Sequence, residues 1–380
     1  MGRYRAAIIG CGRIAHGHAR GYHAQPDVDL VACADIAPEA LQRLGDEFDI
    51  AARYLSLDEM LDQERPDVVS VCTHEPLHAA VVLAAAKRKP RGILCEKPIA
   101  LTLPDADAMI ATCNDAGTLL IIGHQRRFSP QYVAAKRVLD SGAIGEVMTV
   151  AAHGHPGSSL LVDGTHTIDL VRFFLDDAPV AWVIGQVDDS ERRVAWSHPA
   201  ETAALGWIGF ANGVHCLLTA GGARLHGRLE GLGGTVSGPN YHHITVYGSA
   251  GQIFIGGDNV DAGMPMVMVQ RGPGREDVPL PWPLAGDEAH QPPFSEEIRV
   301  LLRCLETGAT HPLAASSARA TLEVLLAIYE SARRRAVVTL PLSISDNPLF
   351  ALREVLEGVT GVGPESSASP AGRREEAVKS

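Results

Sequence analysis

Over the first 123 residues, short apolar runs alternate with amphipathic stretches. The runs at residues 5–9, 28–34, 68–72, 92–95 and 118–122 are almost continuously hydrophobic. Strands covered by helices on both faces read this way. Between them, residues 14–23, 38–48, 57–62, 77–87 and 103–116 are helix-like, with apolar positions mixed among polar ones. Strand and helix in units of about 25–30 residues predict a parallel, doubly wound sheet. After residue 145 the pattern changes. Strands are predicted at 147–154, 180–187, 204–210, 213–220, 243–247, 252–255 and 265–271, several separated by Gly, Ser, Asn or Asp turns. A helix is embedded at 167–174 and two more come late, at 294–305 and 315–334, with 129–140 as the connecting helix. The expectation is α/β overall: a doubly wound parallel sheet in residues 1–123, then an α+β domain in 124–345 with a large, mostly antiparallel open sheet. Residues 346–380 form a C-terminal extension, expected to be disordered from 361 because it is polar and rich in Gly, Ser and Pro. Residues 221–240, with many glycines, read as a long mobile loop.

Composition narrows the function classes. The 380 residues are 46% hydrophobic and 21% charged, so a sizeable core is available. No apolar run approaches the roughly 18 residues of a membrane span, and the opening MGRYRAAIIG lacks a signal-peptide core. Net charge is −12 with no Lys/Arg cluster, which argues against nucleic acid as a partner. The seven cysteines are scattered without a CxxC pair, as expected for a reducing compartment, so a cytoplasmic location is expected.

The first strand runs into Gly10-Cys11-Gly12-Arg13-Ile14-Ala15, a G-x-G-x-x-A turn between strand and helix. Gly10 permits the tight turn, Gly12 lets backbone approach a pyrophosphate, and Ala15 lets the helix lie close to the sheet. The second strand leads into Asp35, an acid placed to accept from both ribose hydroxyls of an adenosine. The first domain is therefore expected to be a Rossmann domain that binds a dinucleotide. A carboxylate repels a 2′-phosphate and no Arg follows Asp35, so NAD is expected over NADP.

The fourth long apolar run ends in Glu96-Lys97-Pro98. Ligands of such sheets sit at the carboxyl ends of the strands, so Lys97 is aimed at the crevice. Here the sequence resembles the Gfo/Idh/MocA oxidoreductases, which include glucose–fructose oxidoreductase and inositol dehydrogenase. GCGRIA, CEKP, RRFSP at 126–130, GTHTID at 164–169 and VYGSAGQI at 246–253 carry the resemblance, which covers about residues 4–342. It implies NAD(P)-dependent oxidation or reduction of a secondary alcohol on a sugar or polyol, and an open sheet that assembles dimers or tetramers. By position, Lys97 matches the family's catalytic lysine, His166 its active-site histidine and Asp169 the acid three residues on. The chemistry agrees: an imidazole with pKa near about 6.5 can take the hydroxyl proton, and an ammonium stabilises alkoxide charge.

Two positions depart from the family pattern. Many members carry an Asp four residues before the histidine, where this chain has Val162, with the acid displaced to Asp163. Either Asp163 reaches the site through a different turn, or Lys97 and His166 act alone, or the hydroxyl that reacts is a different one. The second is Thr73-His74-Glu75-Pro76-Leu77-His78, where the family shows a Thr-Pro-like turn and then a histidine. By the resemblance this segment lies beside the cofactor, so Thr73, His74, His78 and Glu96 join Gly10, Gly12, Arg13, Ile14, Asp35 and Lys97 as cofactor candidates.

Candidates to bind a carbohydrate substrate are Gln125, Arg126, His153 and His155, together with Lys97, Asp163 and His166. Arg224, His226, Tyr241 and His242 are further candidates, and Arg127 reads as a brace at the domain junction. His153 and His155 have the spacing to share one strand face, but no partner pair completes a metal site, and none is expected. Trp207 and Trp282 are the possible stacking platforms. Rival readings are an NAD-assisted glycoside hydrolase that oxidises, eliminates and rehydrates, and a cofactor-binding regulator without turnover.

Overall fold

The computed structural model describes residues 3–155, 158–195, 197–221, 242–258, 265–282 and 291–353. Residues 222–241, with Arg224, His226 and Tyr241, lie outside the described residues, as does the 361–380 tail.

The first domain follows the predicted alternation: β1 (Tyr4–Ile9), α1 (Arg13–His23), β2 (Val28–Ala34), α2 (Pro38–Glu47), β3 (Ala52–Tyr54), α3 (Leu57–Glu64), β4 (Val68–Val71), α4 (His78–Ala86), β5 (Gly92–Cys95), α5 (Leu103–Ala116) and β6 (Leu119–Ile122). The six parallel strands lie in the order β3-β2-β1-β4-β5-β6, the doubly wound Rossmann arrangement. Strand β3 is new: three residues, none fully buried, give no readable apolar run. Alternate residues of β1 serve opposite faces, Ala6 and Ile8 in one core, Ala7 and Ile9 in the other.

After α6 (Pro130–Asp140) come β7 (Val147–His153), α7 (Thr165–Phe174), β8 (Val180–Asp188), β9 (Arg193–Ala195), β10 (His198–Ala200), β11 (Ala203–Phe210), β12 (His215–Gly221), β13 (His243–Gly248), β14 (Gly251–Ile255), β15 (Val267–Arg271) and β16 (Gly274–Asp277). Helices α8 (Gln291–Thr307) and α9 (Ala315–Arg334) and strand β17 (Val338–Thr339) follow. The large sheet runs β16-β15-β14-β13-β7-β12-β11-β8-β17. It is antiparallel except for the β7–β12 pair. One face, with Val150, Ala152, Ile208, Leu218 and Val246, is buried in one cluster with Leu325 and Ile328 of α9. The other face exposes Ile184, Leu205, Trp207, Leu217 and Tyr247.

The late helices also pack back onto the first domain. Helix α8 packs on α1, and Ile298, Leu301, Leu302 and Leu313 share a core with Tyr4, Ile8, Leu94 and Ile121. A Cβ on Gly21 would stand 3.2 Å from the Phe294 carbonyl, tighter than most Cβ contacts, so a glycine suits the close approach of α8. Residues placed in the second domain by sequence order thus finish the core of the first.

Candidate active site

The site begins at the carboxyl ends of the neighbouring strands β1 and β4. Gly10 has φ +88°, and a Cβ there would meet the Cys72 carbonyl at 2.8 Å, so both backbone conformation and close approach require glycine. Gly12 is the opposite case: it caps α1, no side chain caps that helix, and nothing lies within 4 Å of where its Cβ would be. A helix start without a side-chain cap leaves N–H groups that can donate to a phosphate. Ala15 is fully buried, Ile14 half-buried and Arg13 exposed. Asp35 is oriented by the turn, its Oδ2 accepting from the Cys11 N–H at 2.6 Å and Oδ1 from the Ala37 N–H at 2.7 Å. Ile36 beside it is 89% exposed, an apolar surface beside Asp35 that no sequence pattern marked. The Thr73 hydroxyl, at the end of β4, is buried without a hydrogen-bond partner. These residues fit a nicotinamide dinucleotide laid across the strand ends.

Two expected cofactor ligands point elsewhere. His78 is completely buried, with Nδ1 on the Pro98 carbonyl at 2.8 Å and Nε2 on the Thr73 carbonyl at 3.0 Å. Burial pushes its pKa down. A neutral ring donates to one of those carbonyls, so His78 ties the two turns together from behind. Glu96 is likewise turned inward, accepting from His18 Nε2 at 2.9 Å and from the Lys97 N–H at 3.2 Å. Burial raises its pKa, but His18 and Lys97 outweigh that and hold it below the usual carboxylate value. His18 continues to Ser70 and Ser70 to Tyr22, a buried polar chain invisible in the sequence because its members are far apart in it. His74 precedes the short turn Glu75–Leu77 that leads into α4.

Lys97 crosses to the second domain. Its Nζ donates to the Val162 carbonyl at 2.7 Å and stands 4.0 Å from Asp163 Oδ1. Leu160–Gly164 is a single widened turn: the Gly164 N–H reaches back five residues to the Ser159 carbonyl at 3.0 Å. Such turns recur at functional sites. The extra residue per turn offers the Val162 carbonyl to Lys97 and brings Asp163 alongside. Burial raises the Asp163 pKa, but Lys97 and Arg126 help to hold it below the ordinary value.

His166, in the first turn of α7, is 1% exposed, and neither ring nitrogen has a hydrogen-bond partner. Burial, then Arg126 and Lys97, depress its pKa well below 6.5. Its ring stands 5.6 Å from those of both His124 and His242. His124 Nε2 meets the Thr165 hydroxyl at 2.9 Å, and burial takes its pKa to about 4. His242 Nδ1 meets the Thr167 hydroxyl at 2.7 Å, and its pKa falls to about 3, mainly by burial. His124 was not singled out in the sequence, where a histidine after an apolar strand carries no distinguishing pattern.

The remaining candidates divide. Gln125 is buried with an unpartnered Oε1. Arg126 donates Nε and Nη2 to Asp258 Oδ2 at 2.9 and 2.7 Å. His155 is half-buried near Asp163, whose charge opposes the effect of burial on its pKa. His153 is separated from His166: it closes β7 on the open face, meeting Thr219 at 2.7 Å and the His243 ring at 5.4 Å. It does not share a strand face with His155, because β7 ends at His153. Asp169 is buried, with its Oδ1 3.6 Å from His124 Nδ1. It forms a buried bidentate pair with Arg127, at 2.7 and 2.8 Å, and Arg127 also holds Asp177 and approaches the Pro312 carbonyl. Trp207 is on the exposed face, and Trp282 is half-buried. Among the described residues no group of three His, Cys, Asp or Glu is arranged to hold a metal, and no helix is long and apolar enough to cross a membrane.

Residues 4–124 match the model of an oxidoreductase family with an NAD-binding Rossmann fold, and residues 132–254 match the GFO/IDH/MocA C-terminal domain. D-apiose dehydrogenase from Paraburkholderia graminis is 32% identical over 190 residues, 46% of this chain and 50% of that protein. Inositol 2-dehydrogenase from Rhizobium meliloti is 31% identical over 189 residues, 47% of this chain and 56% of that one. The matched stretch therefore spans about half the length of these relatives. In fold, the chain is similar to an oxidoreductase from Agrobacterium radiobacter solved with NAD+, L-tartaric acid and magnesium, with TM-score 0.74 and 24% identity, over 89% of this chain and 98% of that one.

Proposed function

The chain belongs to the GFO/IDH/MocA oxidoreductase family, and on that footing we propose that it is an NAD-dependent dehydrogenase acting on a secondary hydroxyl or ketone of a sugar, polyol or glycoside. The dehydrogenase names of the matched relatives support the reaction class. The observation that carries the reading is that Lys97 stands beside Asp163 while His166, close enough for the Lys97 charge to act on it, keeps both ring nitrogens without a hydrogen-bond partner.

The turn at Gly10 and Gly12 and the start of α1 would hold the pyrophosphate, Asp35 the adenosine ribose, and Ile36 one face of the adenine. Thr73 and the backbone of the Glu96–Pro98 turn would border the nicotinamide end. When bound, the nicotinamide supplies the hydride acceptor or donor. The protein's own part is proton handling and orientation. His166 is neutral across the physiological range, so a ring nitrogen is available to take the hydroxyl proton. Lys97, held by Val162 and Asp163, presents its ammonium to the same oxygen and stabilises negative charge there. His242 and His124 wall the His166 ring, and Gln125, Arg126 and His155 offer polar contacts to the remaining hydroxyls. Asp35 favours NAD over NADP by repelling a 2′-phosphate.

The exposed apolar face, with Trp207, Leu217, Leu205 and Tyr247, we assign to a second copy of the chain, giving a homodimer or a tetramer. The catalytic reading is tested with a panel of sugars, polyols and glycosides and NAD+, following absorbance of the reduced cofactor. NADH accumulating with a secondary alcohol, and absent with Lys97→Met, is the expected result. Cofactor binding without turnover on any member would overturn it. Glycoside cleavage without net NADH would mark the oxidation–elimination route instead.

A further inference from the structure

Glu201 is a carboxylate with no access to solvent, two residues ahead of β11. Burying such a group is costly unless hydrogen bonds satisfy it. Its Oε1 accepts from the Leu160 backbone N–H at 2.5 Å, and its Oε2 from the Tyr329 hydroxyl at 2.7 Å. Tyr329, on α9, is also buried, and the Leu161 N–H approaches its oxygen. The Ser159 hydroxyl, at 3.4 Å, takes the Val162 N–H.

The first N–H groups of a helical turn have no partner inside it. Here those of Leu160, Leu161 and Val162 are claimed by Glu201, Tyr329 and Ser159. The turn they anchor is the widened one that brings the Val162 carbonyl and Asp163 to Lys97. Strand, helix and turn are thus locked to one another just behind the point where the second domain meets Lys97 of the first. A shift of about 1 Å at such a point is enough to cost turnover heavily.

We propose that Glu201 and Tyr329 are positioning residues for the proton-handling step. The Glu201 carboxyl, held by the Tyr329 hydroxyl, fixes the Leu160 amide and so sets where the Val162 carbonyl and the Asp163 carboxylate meet the Lys97 ammonium. The proposal rests on the assignment of Lys97 and Asp163 to the reaction, and its test reads Lys97 directly as well as turnover.

Full-length Glu201→Ala, Glu201→Gln and Tyr329→Phe proteins are compared with wild type. Glutamine can still offer a carbonyl to Leu160 and an amide to the Tyr329 oxygen. Glu201→Ala is expected to lower kcat about 10–100-fold with NADH affinity within about twofold, and Glu201→Gln to recover kcat to within about threefold. Tyr329→Phe is expected to fall between them. In parallel, limited acetylation is read by peptide mass spectrometry, which the five lysines of the chain (Lys87, Lys89, Lys97, Lys136 and Lys379) make tractable. Freed from its acceptor, Lys97 should react at least about threefold faster relative to Lys136 in Glu201→Ala, and at the wild-type ratio in Glu201→Gln. Should Glu201→Ala fail to fold, Tyr329→Phe carries the same two measurements. An unchanged Lys97 ratio in the folded variant overturns the proposal, as does a glutamine variant as impaired as the alanine one. If wild type turns over no panel substrate, the dehydrogenase reading fails, while the acetylation ratio still decides whether the clamp sets Lys97.

Discussion

The Lys97 ammonium and the Val162 carbonyl stand 2.7 Å apart, joining the end of the first sheet to the turn before α7 across 65 residues of chain. One residue further, Asp163 completes the contact at 4.0 Å. The lysine is thereby fixed by a neutral acceptor and a charged one, each supplied by the same turn.

Removing the charged partner should therefore weaken catalysis without dismantling the site. Asp163→Asn is expected to lower kcat about 10–100-fold, and Lys97→Met about 10³-fold or more. Stopped-flow single turnovers with NAD+ and the preferred substrate separate this from slow product release. Equal rates for Asp163→Asn and wild type would leave Val162 as the only partner that matters.

The neutral state of His166 sets a pH dependence. Burial and the neighbouring Arg126 and Lys97 hold its pKa well below 6.5, so the ring is unprotonated at neutral pH and charges only as pH falls below its ordinary range. The acid limb of kcat/KM should lie below pH 6.5. A limb centred at 6.5 or above would place the proton acceptor on another group.

Stability should respond in the same direction. His124 and His242 titrate near 4 and 3 in the folded chain, against about 6.5 unfolded. The unfolded chain binds the extra protons first, so their contribution is intact above pH 6.5 and is lost as pH drops from 6.5 toward 4 and then 3. The loss is read as a falling Tm in buffered calorimetry. A Tm flat between pH 6.5 and 4 would contradict this burial.

The two glycines of the opening turn should fail differently. Gly10→Ala brings a methyl within 2.8 Å of the Cys72 carbonyl at a positive φ, so it should lower Tm as well as cofactor affinity. Gly12→Ala meets no protein atom, so Tm should hold while NADH affinity falls about tenfold or more. Fluorescence titration and a thermal melt distinguish the two.

The open sheet face offers a test of assembly. Trp207→Asp and Leu217→Asp introduce charge into the exposed apolar patch and should yield monomers by light scattering. An unchanged particle mass would assign the patch another role.

The sequence carried the parts of this fold that depend on local rules. The glycine turn follows from backbone sterics, and the parallel strands from their unbroken apolar runs. Strand β3, the β9–β10 hairpin and β16 are three or four residues each, too short to show a period. His153 was placed on the wrong side because alternation fixes which residues share a face, but not which face a distant helix covers. His78 and Glu96 have the residue types of a ligand site, yet each is buried with its polar atoms engaged within the protein. Asp163 depended on a turn with one extra residue, which no spacing rule announces.

Helix α8 has a consequence for how the chain is made. The face of the first sheet that it covers is built from residues before 122, while its cover ends at Leu313. During synthesis that apolar surface emerges nearly two hundred residues ahead of the segment that seals it. At about 5–20 residues per second that part of the core waits roughly ten to forty seconds for its last cover.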